Sequence, residues 1–273
     1  MLDFFYLFLA GIVGGFIAGL VGVGGGVVYV FIIPIALKFL GVPIDEIPQF
    51  TIANSIFAIL FASGAANYVN IRSGKFFKRE IAIIGIFGVG ASLLILEFVV
   101  NTTWYSIVVF NFILILLLLF ILLNTLLSAK KIFSKALLSL KKWQLGLVGV
   151  LGGGISALSG LGGGTIIIPV LNTIFRVDIK KASAISLGVI TIMTFCMTVF
   201  NLMEQPIIPF SYDYAIGYIV FPVSLSLSLG VVLSSPVGVW LARKVPAYYI
   251  SYFYAFFLII VILKKVVEFI QYI

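Results

Sequence analysis

Uncharged apolar runs, without the alternation of a half-buried strand or the polar face of a surface helix, set the pattern of this chain. Residues 81–96, 107–127 and 250–263 contain no Asp, Glu, Lys or Arg. Each approaches or reaches the ~20 residues that an α-helix needs to cross a hydrocarbon core. A helix that is apolar on every side is surrounded by apolar material. Charged residues gather in short clusters between the runs, so the pattern predicts an all-α integral membrane protein with the lipid bilayer as its solvent.

The pattern also repeats. Leu20-Val21-Gly22-Val23-Gly24-Gly25-Gly26 returns as Leu158-Ser159-Gly160-Leu161-Gly162-Gly163-Gly164, each after a glycine-rich helix and each before an apolar piece with a proline, Pro34 or Pro169. A loop with acid follows, then a span opening on Ala53-Asn54-Ser55 or Ala184-Ile185-Ser186. Asn70 and Asn201 lie at the same distance beyond those serines, and two more spans complete each half. Self-similarity over most of the chain indicates a duplication. The expected organisation is a first repeat at 1–128, a basic linker at 129–142 and a second repeat at 143–273.

Charge decides how the halves are oriented. If each glycine tract turns the chain back inside the membrane, each half is a broken hairpin plus three transmembrane helices, and the second half is inverted. All of the seventeen Lys and Arg residues except Lys38, Lys264 and Lys265 then face the cytoplasm, and seven of the nine acids lie outside. If each tract instead crosses once, Arg176, Lys180, Lys181, Arg243 and Lys244 change sides. The excess of Lys and Arg in cytoplasmic loops favours inverted repeats with both termini outside, in a multi-pass protein of the plasma membrane.

Composition agrees and excludes other classes. The chain is 63% hydrophobic and only 10% charged, too few charges to clothe a water-soluble globule of 273 residues. Its net charge of +8 sits in runs between spans rather than on a basic face, so nucleic acid is not expected as a partner. No histidine and one cysteine, Cys196 in an apolar run, leave no Cys/His metal site, disulfide framework or catalytic pair, and no cofactor is expected. Asp3 stands where a signal peptide carries a base, so the N-terminus reads as mature. Self-association into a homo-oligomer is left open.

Backbone that leaves a helix within lipid must be buried in protein or line a wet cavity. Glycines supply the positive φ angles of such a break. The half-helix that follows begins with unpaired N–H groups at its positive dipole end, which suits an anion. Gly24, Gly25, Gly26, Gly162, Gly163 and Gly164 are therefore candidate substrate-binding positions, with Thr165 at the second half-helix start. Asn54, Ser55 and Ser186 are the candidate side-chain donors, and inverted repeats would bring both sets to one place near the midplane. Gly11, Gly15 and Gly19 read instead as helix-packing positions, and the remaining Ser and Thr residues as interhelical hydrogen bonds. No acid or base stands at mid-membrane depth to couple protons. With the inside negative, expelling one negative charge gains ~2.3 kcal/mol per 100 mV, which favours export.

The paired G-x-G-G-G tracts with a following proline, the Ser55 and Ser186 positions, and the closing Leu241-Ala242-Arg243-Lys244-Val245-Pro246 resemble the sulfite exporter TauE/SafE family. The resemblance implies a duplicated bundle that carries sulfite, sulfoacetate or a related sulfonate. Asn54 and Ile185 stand where the family often places Thr before the Ser, and the first tract lies three residues farther from its proline than the second. The expected function is a secondary transporter exporting a small sulfur-containing anion by alternating access. A passive anion channel and an importer of a sulfur oxyanion are the alternatives.

Overall fold

The computed structural model describes residues 2–21, 25–74, 76–128, 140–208, 214–242 and 244–272. Among them run ten α-helices. They are α1 (Leu2–Val21), α2 (Gly26–Phe39), α3 (Ile47–Arg72), α4 (Lys78–Ile95), α5 (Ile107–Ser128), α6 (Lys142–Ser159), α7 (Gly164–Pro169), α8 (Ile179–Met203), α9 (Phe221–Ala242) and α10 (Ala247–Tyr272). A 3₁₀ turn at Ile44–Glu46 leads into α3, and wide π turns extend α4 over Leu96–Val100 and α7 over Val170–Ile174. An antiparallel hairpin, β1 (Ala215–Ile216) with β2 (Ile219–Val220), precedes α9. The expected all-α architecture is what the chain adopts, with this hairpin as a small addition.

Local chemistry sets the helix ends. Pro48 occupies the first turn of α3, where its missing N–H leaves no hydrogen bond unmade. Asp178 caps α8, its Oδ1 accepting from the backbone N–H of Lys180 at 3.0 Å and of Lys181 at 3.2 Å. Five helical stretches are long and apolar enough to cross a bilayer: Ile44–Arg72, Lys78–Val100, Ile107–Leu127, Ile179–Met203 and Phe221–Ala242. The stretches Gly26–Phe39 and Gly164–Ile174 are shorter. At 1.5 Å per residue they span roughly 20 and 15 Å, so neither crosses a ~30 Å core alone.

α3 and α8 form the middle of the bundle, buried over most of their length, while α4 and α5 turn one face outward. Phe87, Leu94 and Phe98 on that side of α4 and its π turn, and Leu116, Phe120 and Leu123 on α5, are exposed. An apolar surface so continuous is at home against lipid rather than water.

Glycines let the outer helices approach at backbone distance. A methyl group at Gly11 would stand 2.1 Å from the Leu227 carbonyl oxygen, and one at Gly230 would stand 2.2 Å from that of Phe8. Gly15 meets Val231 and Ser234, and Gly19 meets Ser235 and Gly238, so α1 and α9 run parallel. On the far side α6 packs on α4 in the same manner. A methyl at Gly149 would lie 2.4 Å from the Ile84 carbonyl oxygen, and one at Gly153 would lie 2.1 Å from that of Gly88. Gly11, Gly15 and Gly19 thus do the packing that the sequence suggested.

α1 rests on α9 and α6 on α4, α3 rests on α9 and α8 on α4, and α3–α8 and α5–α10 pack mutually. Directions follow from the contacts. Gly188 meets Ile81, and Ile192 and Met193 meet Gly85 and Gly88, so α8 runs parallel to α4. The five-residue connection between α3 and α4 is too short to return across a bilayer, so those two helices are antiparallel. α3 and α8 therefore run in opposite directions.

Candidate functional site

Both glycine tracts interrupt the helix and reverse the chain. Gly14 on α1 lies against Tyr29 on α2, and Gly152 on α6 lies against Ile167 on α7. Each pair is fifteen residues apart, which an unbroken helix would separate by about 22 Å. The first reversal ends at Gly25, in the left-handed region at φ 75°, and α2 starts directly after it. The second passes Gly160 at φ 65° and Gly162 at φ 78° before α7 begins. An L-residue rarely adopts these angles, which is why glycine stands there.

The two breaks touch. A methyl at Gly26 would come within 2.3 Å of the Leu161 carbonyl oxygen and 2.5 Å of the Leu161 Cα, so the start of α2 packs on the backbone of the second turn. Ser55, near the middle of α3, donates its hydroxyl to the Gly160 carbonyl at 2.6 Å, and Ile52 closes over Gly160. Gly25, Gly26 and residues 160–164 are all buried.

Hydrogen bonding around the second break is lopsided. The last carbonyls of α6 have donors: Ser156 receives the Gly160 N–H at 2.9 Å, Ile155 the Ser159 hydroxyl at 2.6 Å, and Leu158 the Tyr105 hydroxyl. The Ser159 hydroxyl also accepts from the Leu161 N–H at 3.2 Å. On the other side, Thr165 donates its hydroxyl to the Gly162 carbonyl at 3.2 Å, which closes the first turn of α7. Among the described residues, no backbone carbonyl accepts from the N–H groups of Gly162, Gly163 or Gly164. Among the described residues, three buried amides thus stand without carbonyl partners at the positive end of α7.

The other anticipated residues divide by what they touch. Gly24 lies outside the described residues. Ser186 is fully buried on α8, and its hydroxyl has no partner among the described residues. Asn54 is fully committed to backbone. Its Nδ2 donates to the Phe50 carbonyl at 2.7 Å and the Tyr218 carbonyl at 3.0 Å, and its Oδ1 accepts from the Val220 N–H at 2.9 Å. It pins the β1–β2 hairpin to α3 rather than presenting a donor to the breaks. Asn54→Ala leaves those hairpin groups buried without partners, at about 1–3 kcal/mol each. The expected result is a melting temperature in detergent several degrees lower, and an unchanged melting temperature would mean that the hairpin is held without Asn54.

Sequence reading missed two neighbours of Asn54. Glu46, 2% exposed, accepts from the Ile208 N–H at 2.8 Å. Gln49 donates to the carbonyls of Val100 at 3.1 Å and Tyr105 at 3.4 Å. With Asn54 they make the first turns of α3 an anchor for three connecting segments distant in sequence. Their signal was the polar spacing 46, 49, 54 at the opening of an otherwise apolar helix.

The match to a family model now carries weight, because it spans the helices and both breaks just described. Residues 7–265 match the model for the sulfite exporter TauE/SafE family. Two relatives, each described as a probable membrane transporter protein, are 26% identical to the chain. One, from Methanocaldococcus jannaschii, aligns over 88% of this chain and 86% of its own length. The other, from Haemophilus influenzae, aligns over 93% and 94%. No solved structure matches the chain. A multi-pass helical membrane protein with two glycine breaks in contact, this chain belongs to the sulfite exporter TauE/SafE family, a family of membrane transporters.

Proposed function

We propose that the protein is a secondary transporter that exports a small sulfur-containing anion, sulfite or a sulfonate such as sulfoacetate, by alternating access. The observation that carries this reading is the contact between two helix breaks deep in the bundle, with the amides of Gly162, Gly163 and Gly164 free of carbonyl partners among the described residues. Gly25, Gly26 and Thr165 complete the backbone cradle. Ser55 holds the second break in place, and Ser186 supplies a buried hydroxyl. Neutral donors of this kind bind an oxyanion and still release it, which carriage requires.

The halves act as inverted repeats, 1–128 and 143–273, with the basic linker 129–142 on the cytoplasmic side and both termini outside the plasma membrane. Residues 129–139 of that linker lie outside the described residues. The opposite directions of α3 and α8, and the reciprocal packing of α1 on α9 and α6 on α4, support this arrangement. One half rocking against the other would open the junction to each side in turn. A passive channel needs a continuous wet path, and the burial of the described residues of both breaks favours the carrier.

Reconstitution into liposomes loaded with labelled sulfite tests the reading. Saturable efflux, faster when the potential draws anions outward, is the expected result. Flux no greater than from protein-free vesicles with every sulfur anion tried overturns the substrate assignment. Single-channel currents overturn the carrier.

A further inference from the structure

The two breaks share a set of glycines, and the slot that those glycines wall is filled differently in each. Gly14, Gly25 and Tyr29 in the first correspond, at a constant offset of 138 residues, to Gly152, Gly163 and Ile167 in the second. The spatial relations correspond too. A methyl at Gly14 would meet the Tyr29 ring at 2.3 Å, and one at Gly152 would meet Ile167 Cγ1 at 2.6 Å. A methyl at Gly25 would lie 2.9 Å from the Tyr29 hydroxyl, and one at Gly163 would lie 3.2 Å from Ile167 Cδ1. Each half therefore offers a slot walled by two glycines. Tyr29 fills one and an aliphatic side chain fills the other.

Isoleucine in the second slot shows that packing alone asks for no hydroxyl there. Yet Tyr29 is 0% exposed, and its hydroxyl has no hydrogen-bond partner among the described residues. Burying a hydroxyl unpaired is costly, and a phenylalanine would avoid that cost. Helical side chains lean toward the N-terminus of their helix. Tyr29, in the first turn of α2, accordingly holds its Oη beside Gly25 at the electropositive end of that helix, where Gly26 meets the second break.

The geometry points to Tyr29 as a substrate-contacting, specificity-determining residue, its phenolic O–H donating to one oxygen of the bound oxyanion where the second break presents only Ile167. This rests on the reading of the breaks as an anion site. A tetrahedral or pyramidal oxyanion offers several acceptor oxygens in different directions, so one can meet the amides of Gly162, Gly163 and Gly164 while another takes the Tyr29 proton. A neutral phenol contributes this bond without fixing the anion as an ammonium would. The two half-sites become chemically unequal, which orients an asymmetric anion such as a sulfonate.

Tyr29→Phe deletes the oxygen and keeps the ring. With full-length protein in detergent, the thermal shift produced by titrated sulfite reads affinity, and the anion-free melting temperature reads packing. The expected outcome is a sulfite affinity at least tenfold weaker, with an anion-free melting temperature equal to or above that of the wild type. Wild-type sulfite affinity in the variant overturns the contact. A lower anion-free melting temperature, or failure to fold, also overturns it, because the hydroxyl then has a structural partner. If the wild-type protein shows no shift with sulfite, thiosulfate, sulfoacetate, sulfate or nitrate, the anion-site reading itself fails, whatever the variant does.

Discussion

Gly26→Ala should reduce sulfite efflux to less than a tenth of the wild-type rate while the protein still inserts and purifies as a folded bundle. The added methyl would stand 2.3 Å from the Leu161 oxygen and 2.5 Å from both its carbonyl carbon and Cα, so it collides with backbone and no rotamer relieves it. α2 cannot slide away freely, because Gly25 fixes its start and Tyr29 wedges it against Gly14 on α1. Overpacking of this sort costs about 1–3 kcal/mol, which a bundle of this size can absorb. The cradle cannot, since binding groups must be held within about 0.5 Å of their working positions. Gly64→Ala on α3 and Gly90→Ala on α4 are the controls. A methyl meets nothing within 4 Å at either position, and in a helix interior alanine stabilises by about 0.5–1 kcal/mol. Full efflux in Gly26→Ala, beside healthy controls, would mean that the breaks need not touch for transport.

How much of this was legible beforehand depends on the range of the interaction. The breaks could be read because each tract sets four glycines in five positions, each weakening a helix by about 1 kcal/mol, whereas the three at Gly152, Gly153 and Gly154 are carried inside α6. That is a local property. The pairing of α1 with α9 and α6 with α4 was half legible. The small residues at 11, 15 and 19 marked a packing stripe, but nothing in the stripe named its partner. The identity of the site's donors was harder. Asn54 and Ser55 are adjacent in sequence and were read as a pair, yet neighbours on a helix point about 100° apart. One faces the hairpin at 215–220 and the other faces Gly160. The hairpin has two-residue strands turning at Gly217, too short for any alternation to show. Charge counting placed Lys264, Lys265 and Glu268 together outside. It did not show that α10 continues to Tyr272 and buries part of the cluster, a tertiary fact that the i,i+3 spacing of Lys265 and Glu268 hinted at.

That cluster carries a large expected stability effect at a single residue, Glu268. Lys265 is 1% exposed, with its Nζ 2.7 Å from Glu268 Oε2 and 3.4 Å from Asn111 Oδ1 on α5. Lys264 reaches the other carboxylate oxygen at 3.4 Å and donates to the Phe31 carbonyl on α2 at 2.6 Å. One carboxylate thus serves two ammonium groups and ties α10 to both neighbours. Glu268→Gln leaves Lys265 buried beside Lys264 with no counter-charge, and breaking a buried pair from one side costs about 3–5 kcal/mol. Lys264, 23% exposed, can swing its head toward water along its apolar stem, but Lys265 has no such route. The double variant Lys265→Met/Glu268→Gln removes the stranded charge as well, so it should recover most of the loss, because an apolar replacement for a buried pair is close to neutral. Unfolding curves in mixed detergent, recorded for the wild type and both variants, decide the matter. A single variant within about 1 kcal/mol of the wild type would mean that the pair is hydrated. A double variant less stable than the single would mean that Lys265 acts through its contact with Asn111 rather than through the carboxylate.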